Sequence, residues 1–347
     1  MKGRIVALDR IDDRAAAAMI VDGKVEDLLI DPPERFGYQP GAILRGRMDR
    51  PLKGQGGAIL RLPGGWTGFL RGSKGIGDGA TVLVQVSGVS EPGKAIPVTT
   101  RLLFKSRYAI ITPDAPGLNI ARSIRDEELR GHLRIMAEDA MEGAGEGLGL
   151  ILRSAASEAD EDALLDDILA MRSLCETVMS DASGEPELLV DAPDAHEQAW
   201  RDWAMPAPDA IEDGLGAFDQ FGVLDTIDQI KSERWSLGAD ASMFVEATRA
   251  LIAVDVNTGA DNSPSAGLKA NLAAAKSMPL ALRLSGLGGQ IVVDFAPMPK
   301  KDRRKLEDAM KAAFRRDGAE AALAGWTPLG NFELQRKRDR VPLREVV

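Results

Sequence analysis

The chain has 347 residues, 44% of them hydrophobic and 28% charged, with a formal net charge of -10 at pH 7. That length asks for several modules rather than one core, and no apolar run approaches the roughly 18 residues of a membrane span. Nothing resembling a secretory signal follows MKGRIVALDR, and the single cysteine, Cys175, excludes an intrachain disulfide and a cysteine-rich zinc site, so a cytoplasmic protein without membrane partners is expected.

Residues 4–31 read as strands: Ile5–Leu8, then Ala15–Val21, an Asp22-Gly23 turn and Lys24–Ile30. So few antiparallel strands bury no face unaided, and they need a partner later in the chain. From Gly41 to Tyr108 the runs are short and punctuated by Gly: 42–48, 57–62, 67–70, 81–86 and 95–104. Five such strands predict a small barrel of the oligonucleotide-binding kind. Trp66 and Phe69 lie on or beside its Gly64-Gly65 turn, where rings can stack bases, although Phe69 can equally fill the barrel core.

Residues 108–112 and 150–154 read as strands, and 126–138 and 160–180 as helices, the first capped by Ser123 or Asp126. Cys175 falls on the apolar side of the second helix. A brief strand at 187–190, a short helix at 195–203 and a helix near 223–234 come next. From about residue 241 to 317 strands and helices alternate, which indicates an α/β unit with its chemistry at the sheet end.

Within that unit, Leu251–Val254 ends in Asp255 and Asn257, two positions apart and so on one face. A second run, Gln290–Val293, ends in Asp294. Laid side by side, the two strands bring Asp255 and Asp294 together, where a hard cation such as Mg²⁺, or Mn²⁺, can sit on carboxylate oxygens. An aspartate at a strand end is otherwise commonplace. Asn257 is a poor third ligand and better suited to orienting a carboxylate. His132 and His196 lie in other segments, which leaves a metal-activated water as the expected nucleophile in a phosphoryl-transfer reaction.

The charge is unevenly spread. Basic residues outnumber acidic ones between Gly41 and Arg125, with Arg50, Lys53, Lys74, Lys94, Lys105 and Arg122 among them; Arg172 is the only basic residue from Ala155 to Asp194. Basic character returns at 300–316 and at Arg336-Lys337-Arg338. These patches fit the path of an anionic polymer, and they equally fit ordinary solvation.

Several stretches carry a family resemblance: GAILRGRM at 41–48, VLVQV at 82–86, LGLILRSA at 148–155, GAFDQFGV at 216–223, EATRALIAVDVNTG at 246–259, NLAAA at 271–275, LRLSGLGGQIVVDF at 282–295 and QRKR at 335–338. In order and spacing the chain resembles the ribonuclease E/G family of single-strand-specific endoribonucleases. The resemblance implies that Asp255 and Asp294 hold the catalytic Mg²⁺ and that Asn257 supports one of them. It implies a pocket for a 5′-monophosphate at Arg153 and Ser154, an RNA-facing aromatic at Phe69, and RNA contacts from the basic segments containing Arg283 and Arg336–Arg338. Its products are a 5′-phosphate and a 3′-hydroxyl.

The fold class then expected is multidomain α/β. An S1-like (OB) barrel at 36–108 is inserted in a reduced ribonuclease H-like subdomain made of 1–35 and 186–235. A 5′-sensor-like subdomain spans 109–185 and a DNase I-like catalytic domain 236–347.

The departures from the family pattern also carry expectations. Ile59 stands where the barrel has a second aromatic, Arg249 replaces a glutamate, Ser285 an arginine, and Ala296-Pro297 an Ile-Asp pair. No C-P-x-C zinc-link motif follows Arg338, so no structural zinc is expected and any homodimer would use another surface. A catalytically weak RNA-binding protein is the competing expectation.

Overall fold

The computed structural model describes every residue except Met1, Lys53, Gln55, Ser73 and Lys74. Two of the basic residues expected along an RNA path, Lys53 and Lys74, therefore lie outside the described residues. The chain divides into two compact units, Met1–Pro33 with Ala210–Val347, and Glu34–Asp209.

In the first unit, Arg4–Ile11, Arg14–Val21 and Lys24–Ile30 form an antiparallel meander, extended by Ala210–Asp213 pairing parallel to the first strand. The apolar face of this sheet (Ile5, Ala7, Ala16, Ala18, Ile20, Leu28) joins one core with residues from 217 onward, the later partner that so small a sheet requires. Asp9 is buried. Its Oδ2 accepts from the backbone N–H groups of Gly216 and Phe218, satisfying donors at the start of the short helix Ala217–Gln220.

A second, six-stranded sheet carries the order Arg234–Ser236, Ser242–Ala247, Ile252–Asn257, Gly289–Asp294, Phe332–Arg336, Ala321–Trp326. Only the central pair, Ile252–Asn257 with Gly289–Asp294, runs parallel. A parallel pair needs a crossover, and the helix Ala266–Leu284 supplies it. That helix buries Ala270, Ala274, Ala275, Met278, Ala281 and Leu282, and the alanines among them let it lie close to the strands. Arg303–Asp317 packs beside it through Leu306, Met310 and Phe314.

The second unit contains a closed five-stranded barrel. Ile43–Leu52, Gly57–Arg61, Thr67–Arg71, Ile96–Thr99 and Thr81–Val86 pair in that order, and the last returns to the first. The parallel Thr67–Arg71/Ile96–Thr99 pair in an otherwise antiparallel barrel is consistent with an OB-like closure. Ala58, Leu60, Leu70, Val84, Val86 and Val98 fill it. A separate four-stranded sheet, in the order Gly117–Ile120, Gly149–Leu152, Ala109–Thr112, Phe104–Lys105, shares a core with the helices Glu127–Ala140 and Glu161–Ser180. Those helices are capped by Asp126 and Asp160, whose carboxylates accept first-turn N–H groups. Cys175 is buried in that core.

Candidate functional site: two register-paired aspartates

In Ile252–Asn257 the alternate residues Ile252, Val254 and Val256 are buried, while Asp255 and Asn257 are exposed on the opposite face. Gly289–Asp294 obeys the same rule, with Ile291 and Val293 inside and Asp294 outside. The parallel register pairs Ile252 with Ile291, Val254 with Val293 and Asp255 with Asp294. Neighbouring strands lie about 4.8 Å apart, so the two carboxylates leave adjacent backbone positions toward one side at the carboxyl ends of the strands. Asn257 Nδ2 donates to Asp255 Oδ2 at 2.7 Å. A short amide bond of this kind fixes the carboxylate's rotamer and leaves its other oxygen free to face outward.

The loops after both aspartates are pinned by close backbone approach. Gly259, at φ +63, faces Asp240 so tightly that a Cβ would stand 2.4 Å from the Asp240 carbonyl oxygen. Gly267, at the start of the crossover helix, faces Pro297 with only 2.1 Å between a built Cβ and that carbonyl oxygen. Asn271, fully buried one helical turn further on, donates through Nδ2 to Ala296 O at 2.8 Å and accepts from Ala296 N at 2.9 Å. In the sequence Asn271 stands out only as the first residue of NLAAA. A buried amide among alanines was the available sign that it serves a backbone partner.

Arg336 and Arg283, expected on the RNA path, are placed differently. Arg336 is 3% exposed, donates to Leu287 O and lies 3.7 Å from Asp317. Arg283 donates to Glu26 O and pairs with Asp317, whose side chain is 1% exposed. Both guanidiniums are thus counter-ions of one buried carboxylate, and a cation engaged in that way does not reach a polymer at the surface. Lys337 and Arg338 remain exposed. Arg338 Nε donates to Gly288 O, its guanidinium lying across Gly289, where a Cβ would be 2.6 Å from Nε. Gly286 and Gly288 face the Val341 and Lys337 carbonyl oxygens at 2.5 and 2.3 Å from a built Cβ, which accounts for the run of glycines leading into the strand Gly289–Asp294.

On the barrel, Ile59 and Phe69 are register partners, both half-buried on the outer face, with Arg50 next in line beside Ile59. The Phe69 ring covers Gly57 at 2.8 Å from a built Cβ. Trp66 lies across Gly37 and packs on the barrel core, also half-buried. Lys94 is exposed and pairs with Glu91. Arg122 is exposed.

Arg153 and Ser154 come directly after the strand Gly149–Leu152. Arg153 is engaged throughout: Nη1 donates to the carbonyls of Ser106, Arg107 and Arg201, and Nη2 to Asp202 Oδ1 at 2.8 Å. Ser154, half-buried, opens a 3-10 turn, its carbonyl accepting from Ser157 Oγ. Lys105 Nζ also lies 2.6 Å from Asp202. Burial works to raise the Asp202 pKa, but the bonds and charges of Arg201 and Lys105 prevail and hold it at about 2. Neither Asp202 nor its neighbour Trp200, which is 55% exposed beneath the Arg107 guanidinium at 3.8 Å, stands out in the sequence.

The model of the ribonuclease E/G family matches residues 104–212 and 209–339. The chain belongs to that family. A ribonuclease E from Synechocystis sp. is 28% identical over 304 residues, covering 76% of this chain and 45% of that protein. Ribonuclease G from Haemophilus influenzae is 24% identical over 394 residues, and that from Escherichia coli K12 25% over 391. Each of these two alignments covers 95% of this chain, with 78% and 79% of the respective relative. The chain thus spans less than half of the Synechocystis protein and more than three quarters of the other two. Among the described residues, no helix is long and apolar enough to cross a membrane.

Proposed function

We propose that this chain is an endoribonuclease that hydrolyses phosphodiester bonds of single-stranded RNA at Asp255 and Asp294. The observation that carries the reading is the register pairing of these two aspartates on adjacent parallel strands, with Asn257 bonded to the first. The relatives' names, ribonuclease E and ribonuclease G, support the substrate class.

The donor set fits Mg²⁺ or Mn²⁺. Both candidate ligands are hard carboxylates, exposed and side by side, and Mg²⁺ is commonly held by one or two carboxylates with water and substrate phosphate completing its shell. Such an ion, when bound, neutralises charge developing on the phosphoryl group and acidifies a water. Asp255 and Asp294 would hold it, and Asn257 would keep Asp255 from rotating out of place. Neither histidine lies on this sheet: His132 is in Glu127–Ala140 and His196 in Ala195–Asp202. The proposed hydrolysis breaks the bond between phosphorus and the 3′ oxygen. Water supplies the new P–O bond, and one of its protons ends on the 3′-hydroxyl.

For RNA, the barrel offers Phe69 as a stacking ring with Arg50 two strands away, and Trp66, Lys94, Lys105 and Arg122 as further candidate contacts from the same unit. Lys337 and Arg338 are candidates on the unit that carries the aspartates. The finer division into ribonuclease H-like, sensor-like and DNase I-like parts, and any homodimer without a zinc link, belong to the same proposal.

Asp294→Asn tests it. Cleavage of an unstructured oligonucleotide with Mg²⁺ is expected to vanish while binding persists; unchanged cleavage overturns the site. A second reading, an RNA-binding protein with slow turnover, is favoured by the altered surroundings of the two aspartates, Arg249 before the first and Ala296-Pro297 after the second. Rapid Mg²⁺-dependent cutting would dismiss it.

A further inference from the structure

The face of the six-stranded sheet that carries the two aspartates holds two more side chains in line with them. In Ser242–Ala247, Met243 and Val245 turn into the core, which leaves Phe244 on the opposite face. The register sets Phe244 directly opposite Asp255, and Arg234 directly opposite Phe244. Across four adjacent strands the row reads Arg234, Phe244, Asp255, Asp294. Opposed residues of an antiparallel pair have Cβ atoms about 5 Å apart, so the Phe244 ring borders the first aspartate.

No packing role accounts for Phe244. The ring is half-buried, joins none of the apolar cores and meets no other ring or guanidinium among the described residues. Other rings of this unit are used in packing: Phe295, Trp326 and Phe332 lie against one another, and Phe218 is buried. Arg234 is exposed, and no hydrogen bond or ion pair engages its guanidinium among the described residues. Among the described residues that the six strands project on this face, Phe244 is the only ring and Arg234 the only cation. The next row toward the amino ends of the parallel strands reads Glu246, Ala253, Val292, Glu333, with an acid at each end and no base.

We propose that Phe244 and Arg234 form a subsite for the nucleotide beside the scissile phosphate: its base stacks on the Phe244 ring, and the phosphate on its far side meets the Arg234 guanidinium. The inference rests on the reading of Asp255 and Asp294 as the cleavage site, and extends it from the reacting phosphate to the neighbouring nucleotide. With that phosphate over the aspartate pair, the row offers partners for phosphate, base and phosphate in sequence, the repeat of a single strand. A free ring face takes any base, and a guanidinium fork suits phosphate oxygens. Glu246 and Glu333 repel a backbone that strays into the second row and so hold the strand to the first. Bases paired within a duplex present no open face to the ring, so the subsite selects unpaired RNA on the unit that carries the aspartates.

The test uses one single-stranded RNA with a mapped cleavage position, intact or with an abasic residue on either side of it. With Mg²⁺ and the full chain, Phe244→Ala is expected to lower kcat/KM on intact RNA about tenfold, within the range that one stacked base contributes. Removing the base held by the ring should cost wild type the same factor and cost Phe244→Ala almost nothing further. Phe244→Tyr should recover most of the loss. Phe244→Leu, which restores apolar bulk without a ring, should recover little, whereas a packing role would be rescued by Leu and would leave the two losses additive. Arg234→Gln should lower kcat/KM and flatten its dependence on salt.

Losses that add at both flanking positions overturn the proposal. Failure of the nuclease reading shows separately, because RNA carrying 5-iodouridine at each position in turn can be irradiated with the full chain in chelator and its crosslinks mapped. Where RNA is cut, the additivity decides; where it is not, the crosslink decides. A crosslink at Phe244 without cutting upholds the subsite and removes the nuclease, and RNA that is neither cut nor crosslinked at Phe244 overturns both.

Discussion

The buried side-chain amide of Asn271 is bonded in both directions to the backbone of Ala296, two residues beyond Asp294. The crossover helix thereby fixes the chain as it leaves the second aspartate, using a donor and an acceptor that would otherwise be stranded in the core. Asn271→Leu is expected to leave Ala296 N–H and C=O unsatisfied and cost about 2–4 kcal/mol of stability. Asn271→Asp keeps the acceptor for Ala296 N–H and, with its buried carboxyl protonated, a donor for Ala296 O, so at acidic pH it should cost less than Asn271→Leu. Urea denaturation of both variants checks the order, and cleavage assayed well below the transition should fall for each.

Asn257 acts on the other aspartate. Its 2.7 Å bond holds Asp255 Oδ2, so Asn257→Ala frees that carboxylate to rotate without removing a candidate ligand. Loss of an orienting partner of this type typically costs about 10–100-fold in metal affinity or activity. The expected signature is a rise in the Mg²⁺ concentration needed for half-maximal cleavage, with partial recovery at high Mg²⁺. A titration in which Asn257→Ala matches wild type would show that the bond contributes nothing to the site.

The barrel gives a graded test of stacking. Phe69 and Ile59 are side by side on its outer face, one ring and one aliphatic chain. Phe69→Ala should weaken single-stranded RNA binding by about 1–3 kcal/mol, and Ile59→Tyr should strengthen it by a similar or smaller amount. Fluorescence anisotropy at fixed salt measures both. If neither change moves the dissociation constant, RNA does not cross this face.

Asp202 also has a consequence for acid stability. Its folded pKa, about 2, lies below that of an unperturbed aspartate near 3.8, so between these values the unfolded chain binds more protons than the folded one. The stabilisation, on the order of 2 kcal/mol, is therefore complete above about pH 4 and is lost as pH falls toward 2. Asp202→Asn should be less stable than wild type at pH 6, and the gap should narrow on acidification. Denaturant unfolding at pH 6 and pH 3 reads the difference; a constant gap would mean that the ion cluster contributes no net stability.

Features with a short-range pattern were legible in the sequence. Alternation in Ile252–Asn257 and Gly289–Asp294 identifies both strands and the side on which their aspartates emerge, and Gly-punctuated runs identify the barrel. Strands with little pattern of their own were not legible. Gly117–Ile120, Ala210–Asp213, Arg234–Ser236 and Ala321–Trp326 are short, lie at sheet edges and are defined by their partners rather than their composition. Charged side chains were the least legible. Nothing local distinguishes the buried Arg336 from the exposed Lys337 beside it, because Asp317, the carboxylate that draws Arg336 inward, lies on another element. The convergence of residues 105, 153 and 201 on Asp202 is likewise a product of tertiary packing.

Gly267 sets helix propensity against packing. It occupies the second position of Ala266–Leu284, where alanine would favour the helix by about 1 kcal/mol. A Cβ there would stand 2.1 Å from Pro297 O, and the obstruction is backbone rather than a movable side-chain tip. Relief requires the helix start or the 296–297 segment to shift, and the latter is tethered by Asn271. Overpacking of this kind costs about 1–3 kcal/mol, so the clash outweighs the propensity gain. Gly267→Ala should lower the melting temperature and reduce cleavage, because the displaced segment leads directly from Asp294. A variant that melts higher than wild type would mean that the loop yields freely, and the placement of the second aspartate would then depend on its strand alone.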